Sequence, residues 1–420
     1  MGEDQAEGAG MSRRLVELLE YQPKMLPAST LSEAVAKVLW QNYRDTVELE
    51  LPDFRTEYQW KITSLGYVGF IPISDDLGLA LRPKVGLTNL FGMMEYAYQL
   101  DLKMMDGVFD CATLEEFYER LANVLAKRIL NRQRKGLYRS YISESDVVGF
   151  VRGRIDVDDA VRRPWNVNRK CNFEEHTADV EDNRILLWTM RCIAQSGLCS
   201  ERVMPAVRSC YRALQGAAAL QQFNFSDCIG RLYNRLNDDY EVLHGLCRFF
   251  LEQSGPLHST GDHTMFPFLI DMAHLFELFV AEWLREHLPE GYTLQIQANV
   301  NLSETNRLKF IIDLVICDLE TGRTLCVLDT KYKCPDTPTN DDISQVVTYA
   351  EIKGCSEAIL VYPHDLDVNL DERLGDIRVR NLTFKIDGDL EAAGKAFLAK
   401  ANLKALRSQP ALISKRSSRN

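Results

Sequence analysis

The sequence predicts a multidomain protein of mixed α+β and α/β class. A β-rich N-terminal module, a helical middle region and a C-terminal domain with a central mixed β-sheet flanked by helices follow one another. Three observations carry this prediction. Short apolar runs broken by turn formers occupy residues 46–83. Apolar residues at helical spacing dominate from there to about residue 251. Beyond residue 269 the order becomes helix, three strands, helix, strand, which belongs to a mixed sheet. The 420 residues, 46% hydrophobic and 26% charged, leave room for two or three domains of roughly 150 residues each. Such a composition excludes global disorder, collagen-like repeats and a small disulfide-stapled fold.

Residues 1–30 are expected to form a flexible N-terminus, and 31–110 the β-rich module, opened by a helix at about Leu31–Tyr43. Within it Val47-Leu49-Leu51, Tyr67–Ile73 and Leu77–Leu81 read as strands, punctuated by Pro52-Asp53 and Ser74-Asp75-Asp76. Leu90, Phe91, Met94 and Tyr98 then recur at helical spacing. Thr113 with Glu116 makes a capping-box signature for a helix to about Arg134. Helices at Asp179–Gln195, Arg202–Gln222 and Cys228–Leu251 fill a mainly helical region, 111–260, and Gly255-Pro256 and Gly261 mark its end. The C-terminal domain, 261–410, starts with a helix at Leu269–Leu288 stopped by Pro289 and Gly291. Strands at Leu294–Val300, Lys309–Ile316 and Thr324–Lys331, a helix at Asp341–Lys353 and a strand at Ala358–Tyr362 complete its core. Residues 411–420 read as a basic disordered tail.

Charge and cysteine usage narrow the function classes. Against 49 basic side chains stand 60 acidic ones, a net −11, so a uniformly basic nucleic-acid coat is excluded. The 11 cysteines are odd in number and contain no CxxC pair. Reduced, buried thiols in a cytoplasmic protein fit this better than zinc or disulfides. No run approaches the ~18–20 apolar residues of a membrane span, and Met1–Gly10 is acidic rather than signal-like. The seven histidines lack HExxH spacing, and His258 and His263 read as loop residues.

One constellation carries chemistry. Asp313 interrupts the apolar strand Phe310–Ile316, where a carboxylate is costly without a partner. Asp329-Thr330-Lys331 ends the next apolar strand, and alternation puts Asp329 and Lys331 on one face. If the two strands pair as a hairpin, the three charges converge at one end of the sheet. Two carboxylates offer Mg2+ hard oxygen ligands while leaving positions for water and a phosphate. The lysine is then placed to stabilise developing negative charge. Gln345 and Tyr349 share a face of the following helix. Glu277 lies three residues after His274 beside the stripe Leu275, Phe276, Phe279 and Trp283.

Glu277…Asp313…Asp329-x-Lys331…Gln345-x-x-x-Tyr349 resembles the PD-(D/E)xK nuclease superfamily, and its QxxxY element is similar to that of the RecB-like branch. Here Ile312 stands where Pro is usual, and the second acid is Asp rather than Glu. The resemblance assigns catalysis to Asp313, Asp329, Lys331, Glu277, Gln345 and Tyr349, and metal ligation to Asp313, Asp329 and Glu277. Upstream, Leu81-Arg82-Pro83-Lys84-Val85-Gly86, Met94-Glu95-Tyr96, Gly136-Leu137-Tyr138-Arg139, Val151–Asp156, Cys171–Glu175 and Asp182-Asn183-Arg184 resemble the McrC family. Members of that family are nuclease subunits of McrBC-type modification-dependent restriction systems. The resemblance implies cleavage of double-stranded DNA with modified bases such as 5-methylcytosine, using Mg2+ with Mn2+ as an alternative. It also implies a McrB-like AAA+ hexamer that binds the GTP, docks the N-terminal module and is stimulated by it. This chain has no GxxxxGK[ST] loop of its own. Two rivals stay open: a non-cleaving activator of an AAA+ ring, and a stand-alone RecB-like exonuclease.

Local charge departs from the global value. Residues 121–170 hold 12 basic and 5 acidic side chains, 12 − 5 = +7, the footprint of phosphate contacts. Arg132, Arg134, Lys135, Arg139, Arg152 and Arg154 are the candidate DNA contacts. A solvated helix face, or salt bridges to Glu174 and Glu175, would explain the same charges. Tyr96, Tyr98 and Phe91 read as core rather than as base-stacking platforms.

Overall fold

The computed structural model describes residues 14–73, 77–100, 111, 113–254, 258–260, 263–265, 267–301, 309–333 and 335–408. Ser74-Asp75-Asp76, Gly255-Pro256, Gly261 and the 411–420 tail lie outside the described residues. The chain is mixed α and β and falls into two compact units: residues 1–112 with 269–420, and residues 113–268. The N-terminal segment and the C-terminal third thus build one unit together.

The N-terminal segment contains β1 (Arg14–Leu19), β2 (Lys24–Pro27), α1 (Glu33–Asn42), β3 (Val47–Glu50), β4 (Gln59–Ser64), β5 (Tyr67–Pro72), β6 (Leu77–Arg82) and α2 (Leu87–Tyr98). Strands β2, β4 and β3 make one antiparallel sheet. β1 lies parallel to β6, which pairs antiparallel with β5. Residues 14–30, expected to be flexible, are therefore partly strand. Arg14-Leu15-Val16-Glu17-Leu18 alternates, and Val16 and Leu18 bury against the same core as Ile71, Leu79 and Leu81.

The middle unit contains α3 (Leu114–Lys135), β7 (Ser140–Val148), β8 (Arg154–Ile155), α4 (Val157–Arg162), β9 (Arg169–Thr177), α5 (Glu181–Gln195), α6 (Met204–Gln215), α7 (Tyr240–Glu252), β10 (His258–Thr260) and β11 (His263–Met265). Thr113 caps α3 by accepting the Glu116 N–H at 3.1 Å. The unit is less helical than the periodicity suggests. β7, β9 and β8 form an antiparallel sheet, whose exposed strands show no apolar alternation to betray them. The helix expected from Cys228 begins only at Tyr240. Asn237 Oδ1 accepts from the Asn234 N–H (2.7 Å) and Asn234 Oδ1 from the Leu236 N–H (2.8 Å), an alternative to helical pairing for that backbone. His258 and His263 sit on the short hairpin β10–β11 rather than in a loop.

The C-terminal third contains β12 (Phe268–Asp271), α8 (Met272–His287), β13 (Tyr292–Asn301), β14 (Lys309–Asp318), β15 (Thr324–Thr330), α9 (Asn340–Lys353), β16 (Glu357–Tyr362), β17 (Asp371–Leu374), β18 (Ile377–Thr383), α10 (Leu390–Ala401) and α11 (Leu403–Arg407). β12 adds to β5, closing the first sheet in the order β1-β6-β5-β12. A six-stranded sheet runs β13-β14-β15-β16-β18-β17. It is mixed: β13, β14 and β15 are antiparallel, β15, β16 and β18 parallel, and β17 antiparallel to β18. The sheet extends past the strand at residue 362 where the sequence reading ended. Among the described residues no helix is long and apolar enough to cross a membrane.

Candidate active site

The register of β14 on β15 pairs Leu314 with Leu328 and Val315 with Val327. One rung further on, Asp313 comes opposite Asp329. Asp329 is 1% exposed, while Asp313 is half-buried. Thr330 ties the two strands: its N–H (2.9 Å) and its hydroxyl (3.0 Å) both donate to Asp313 Oδ2. Lys331 has left the strand, yet its N–H still donates to Val361 O at 2.8 Å. That contact aims its side chain back at the sheet end, with Nζ 2.7 Å from Asp329 Oδ2. That is a close, charge-assisted contact to a buried carboxylate. Lys331 Nζ also donates to Gln345 Oε1 (3.0 Å), and Gln345 Nε2 donates to the Tyr349 hydroxyl (2.8 Å). The face shared by Gln345 and Tyr349 on α9 does reach the sheet end.

The charges work against one another. Burial, and then the Asp313 charge, push the Asp329 carboxyl up to about 7, with Lys331 opposing. Burial and Glu277 likewise raise Asp313, against the two Thr330 donors. For Lys331 burial pulls downward, but Asp329, Asp342 and Asp313 together outweigh it and its pKa is raised. Lys331 is thus an ammonium at neutral pH, a donor and not a base. Two crowded carboxyls held above their usual range are stabilised in their charged form by any positive charge brought beside them.

Glu277 stands further off. It is half-buried, accepts from Gln297 Nε2 at 3.3 Å and has His274 Nδ1 at 3.9 Å. Its charge is felt at Asp313. Among the described residues no group of three or more His, Cys, Asp or Glu is gathered to hold a metal ion. A carboxylate pair with few protein ligands suits Mg2+, which keeps waters and takes substrate phosphate, and does not suit a closed zinc site.

Asp342 and Thr330 belong to this neighbourhood and were not singled out by the sequence. Asp342 is buried on α9, 2.7 Å from Lys333 Nζ and 3.9 Å from Lys331 Nζ, and accepts from the Tyr362 hydroxyl at 3.4 Å. Its readable signal was Thr339-x-x-Asp342, a capping box that the structure closes from both sides. Lys331 and Lys333 both approach this carboxylate, Lys333 the closer.

The six candidate DNA contacts all lie in the middle unit and divide by engagement. Arg132 is structural: it donates to Leu236 O at 2.7 Å, pairs with Asp239 at 3.3 Å and lies over the Tyr240 ring. Arg152 stacks on Phe173 and pairs with Glu175 at 3.6 Å. Arg134, Lys135, Arg139 and Arg154 are exposed, with no ion pair among the described residues. Gly153, between two arginines, has φ +67°, and a Cβ there would overlap Asn172 O. The glycine lets this turn lie directly on β9.

A family model described as "McrBC 5-methylcytosine restriction system component" matches residues 62–363, most of the chain. The chain belongs to this family. The resemblance to McrC read from the sequence is thereby borne out, and the chain is a restriction-system component. Among curated proteins it is similar to the type IV methyl-directed restriction enzyme EcoKMcrBC of Escherichia coli K12, 23% identical over 220 residues. That match covers 50% of this chain and spans 62% of the relative. Among solved structures it is similar to a chain in an assembly of Thermococcus gammatolerans McrB AAA+ hexamers with bound McrC. There the TM-score is 0.53 at 18% identity, over 93% of this chain and 99% of the other. At that identity the likeness is one of fold.

Proposed function

We propose that this McrBC-family chain is the DNA-cutting subunit of its restriction complex, a Mg2+-dependent endonuclease of PD-(D/E)xK type. The observation that carries the reading is the Asp313–Asp329 pair at the end of a mixed sheet, with the Lys331 ammonium against it. Mg2+ held by Asp313 and Asp329 would neutralise charge on the scissile phosphate and acidify a bound water. The chain's own groups do the rest. Lys331, permanently cationic and anchored by Gln345, donates to the phosphate oxygens as negative charge builds. Tyr349 fixes Gln345, and Thr330 fixes the Asp313 carboxylate. Glu277 is assigned the orientation of solvent or ligand on the Asp313 side.

The partner in this reading is a McrB-like AAA+ GTPase hexamer, which binds the GTP and reads the modified bases. The residue 31–110 module docks on that ring, and the exposed Arg134, Lys135, Arg139 and Arg154 hold the double-stranded DNA backbone in the cytoplasm. The decisive experiment assembles the full chain with its AAA+ partner, GTP, Mg2+ and methylated plasmid. Asp329→Ala is expected to lower cleavage by at least roughly 1,000-fold while ring assembly and stimulated GTP hydrolysis persist. Cutting by that variant at the parent rate overturns the assignment.

A further inference from the structure

Among the described residues, six that are not glycine have a left-handed backbone, a conformation that side chains disfavour. Five of them sit where the chain turns. Gln99 and Asn402 are the left-handed caps of α2 and α10, and Tyr21, Glu57 and Tyr58 lie in turns. Gln297, with φ +47°, lies inside β13. No turn or helix end accounts for it there, and strain held within a regular element points to what its surroundings require.

Its surroundings are the candidate active site. β13 pairs with β14 through Ile296 and Leu314 on one side and through Ala298 and Ile312 on the other. The pairing skips the rung between them, where Gln297 stands opposite Asp313. The alternation of β14 is interrupted at the same place: Ile312 and Val315 pack in one core cluster with Tyr349 and Ala350 of α9. On β13 Ala298 packs on that cluster, and Gln295 accepts from Lys353 of α9 at 3.4 Å. Both strands thus turn over at this rung. The Asn299 side chain donates to the Gln297 carbonyl at 3.4 Å, a local bond that supports the turned backbone.

The side chain shows what the turn achieves. Gln297 Nε2 donates to Glu277 Oε1 at 3.3 Å, reaching from β13 to α8. A carboxamide holds a carboxylate without cancelling its charge, as a lysine or arginine would. The charge on Glu277 stays available to a cation or to water beside Asp313, whose carboxyl it already influences. Gln297 is itself exposed, so filling the core is not its role. We propose that Gln297 is a positioning residue of the cleavage site: its strained backbone turns the carboxamide onto Glu277 and fixes that carboxylate on the Asp313 side. This rests on the nuclease reading and adds the group that holds Glu277, the acid standing off from the Asp313–Asp329 pair.

Two variants separate the side chain from the backbone it strains. Gln297→Gly relaxes the left-handed conformation and removes the carboxamide. Gln297→Met keeps the length of the side chain and loses the donor. The glycine variant should melt at or above the parent temperature, as expected where strain serves function. In the full chain assembled with its AAA+ partner, GTP and Mg2+, both variants should cut methylated plasmid roughly 10–100-fold more slowly. The full chain alone should bind Mn2+ roughly 10-fold more weakly in titration calorimetry, the loss typical of groups that orient metal ligands. Parental cleavage by either variant overturns the proposal. So does a glycine variant that melts well below the parent, since the fold and not the site would then need Gln297. Slow cleavage with parental Mn2+ affinity would put Gln297 on the substrate rather than on Glu277, and overturns it as well. Melting and Mn2+ binding do not require cleavage, so a failure of the nuclease reading, seen as cutting by Asp329→Ala, is recognised separately.

Discussion

The six-stranded sheet of the first unit and the three-stranded sheet of the middle unit break opposite rules. The larger sheet buries charge: Asp329, Glu357 and Arg380 are all nearly inaccessible within it. The smaller one, β7-β9-β8 with its connecting segment, exposes apolar side chains, with Phe150 72%, Trp165 79% and Val167 87% accessible. Neither departure is what folding stability favours. In the larger sheet one buried charge set is structural. Glu357 and Arg380 pair, and Arg380 also donates to Lys400 O and Ala401 O at the end of α10. The other set, around Asp329, shares one lysine between crowded carboxyls that repel. Structural charges are saturated by partners, whereas the candidate catalytic ones are left wanting. The exposed aromatic and arginine side chains of the smaller sheet have the composition of contact surfaces.

That contrast can be broken in steps. The largest expected effect on stability is at the saturated pair: Arg380→Ala should destabilise the first unit by about 3–5 kcal/mol in denaturant unfolding, because it strands the Glu357 carboxylate. A loss below about 1 kcal/mol would mean that the pair is no more structural than the Asp329 site. A smaller effect is expected in the middle unit at His244. Burial pushes its imidazole down to about 4, with Tyr233 at Nδ1 (3.0 Å) and the Asp182 carbonyl at Nε2 (3.2 Å) satisfying the neutral ring. The unfolded chain binds the proton first, near pH 6.5, so stability is lost as pH falls from there towards 4. Melting temperatures across that window should fall for the parent and fall less for His244→Gln; equal slopes would place the acid sensitivity elsewhere. The smallest effect concerns Trp165. Trp165→Ser should change unfolding free energy by no more than about 0.5 kcal/mol, and a larger loss would show that this side chain packs rather than presents itself.

The same contrast explains what could be read in advance. Asp313, Asp329 and Lys331 were legible because a charge inside an apolar strand violates local pattern, and Gln345 and Tyr349 because four-residue spacing fixes a helix face. Thr113 and α3 were legible through a cap. β7, β8 and β9 were not, since strands this largely exposed carry no apolar alternation. Gln297 was invisible for another reason. Its partner Glu277 lies 20 positions away, and nothing local to Gln297 marks its backbone as left-handed. Asp342 sat in a readable capping box, but its contact with Lys333 depends on how the chain turns after β15.

The place of β12 in the first sheet has a kinetic consequence. β5 and β6 are made early, yet the strand that completes their sheet, β12, begins at Phe268, after the whole middle unit. On a ribosome working from the N-terminus at about 5–20 residues per second, the edge of β5 waits roughly 10–40 s for its neighbour. Meanwhile the middle unit, continuous in sequence, can fold on its own. The early sheet is then an unpaired edge in a nascent chain, the kind of surface that recruits chaperones or aggregates. Recombinant yield of the intact chain should therefore depend on the rate of synthesis through residues 113–268 more than on the final stability of either unit.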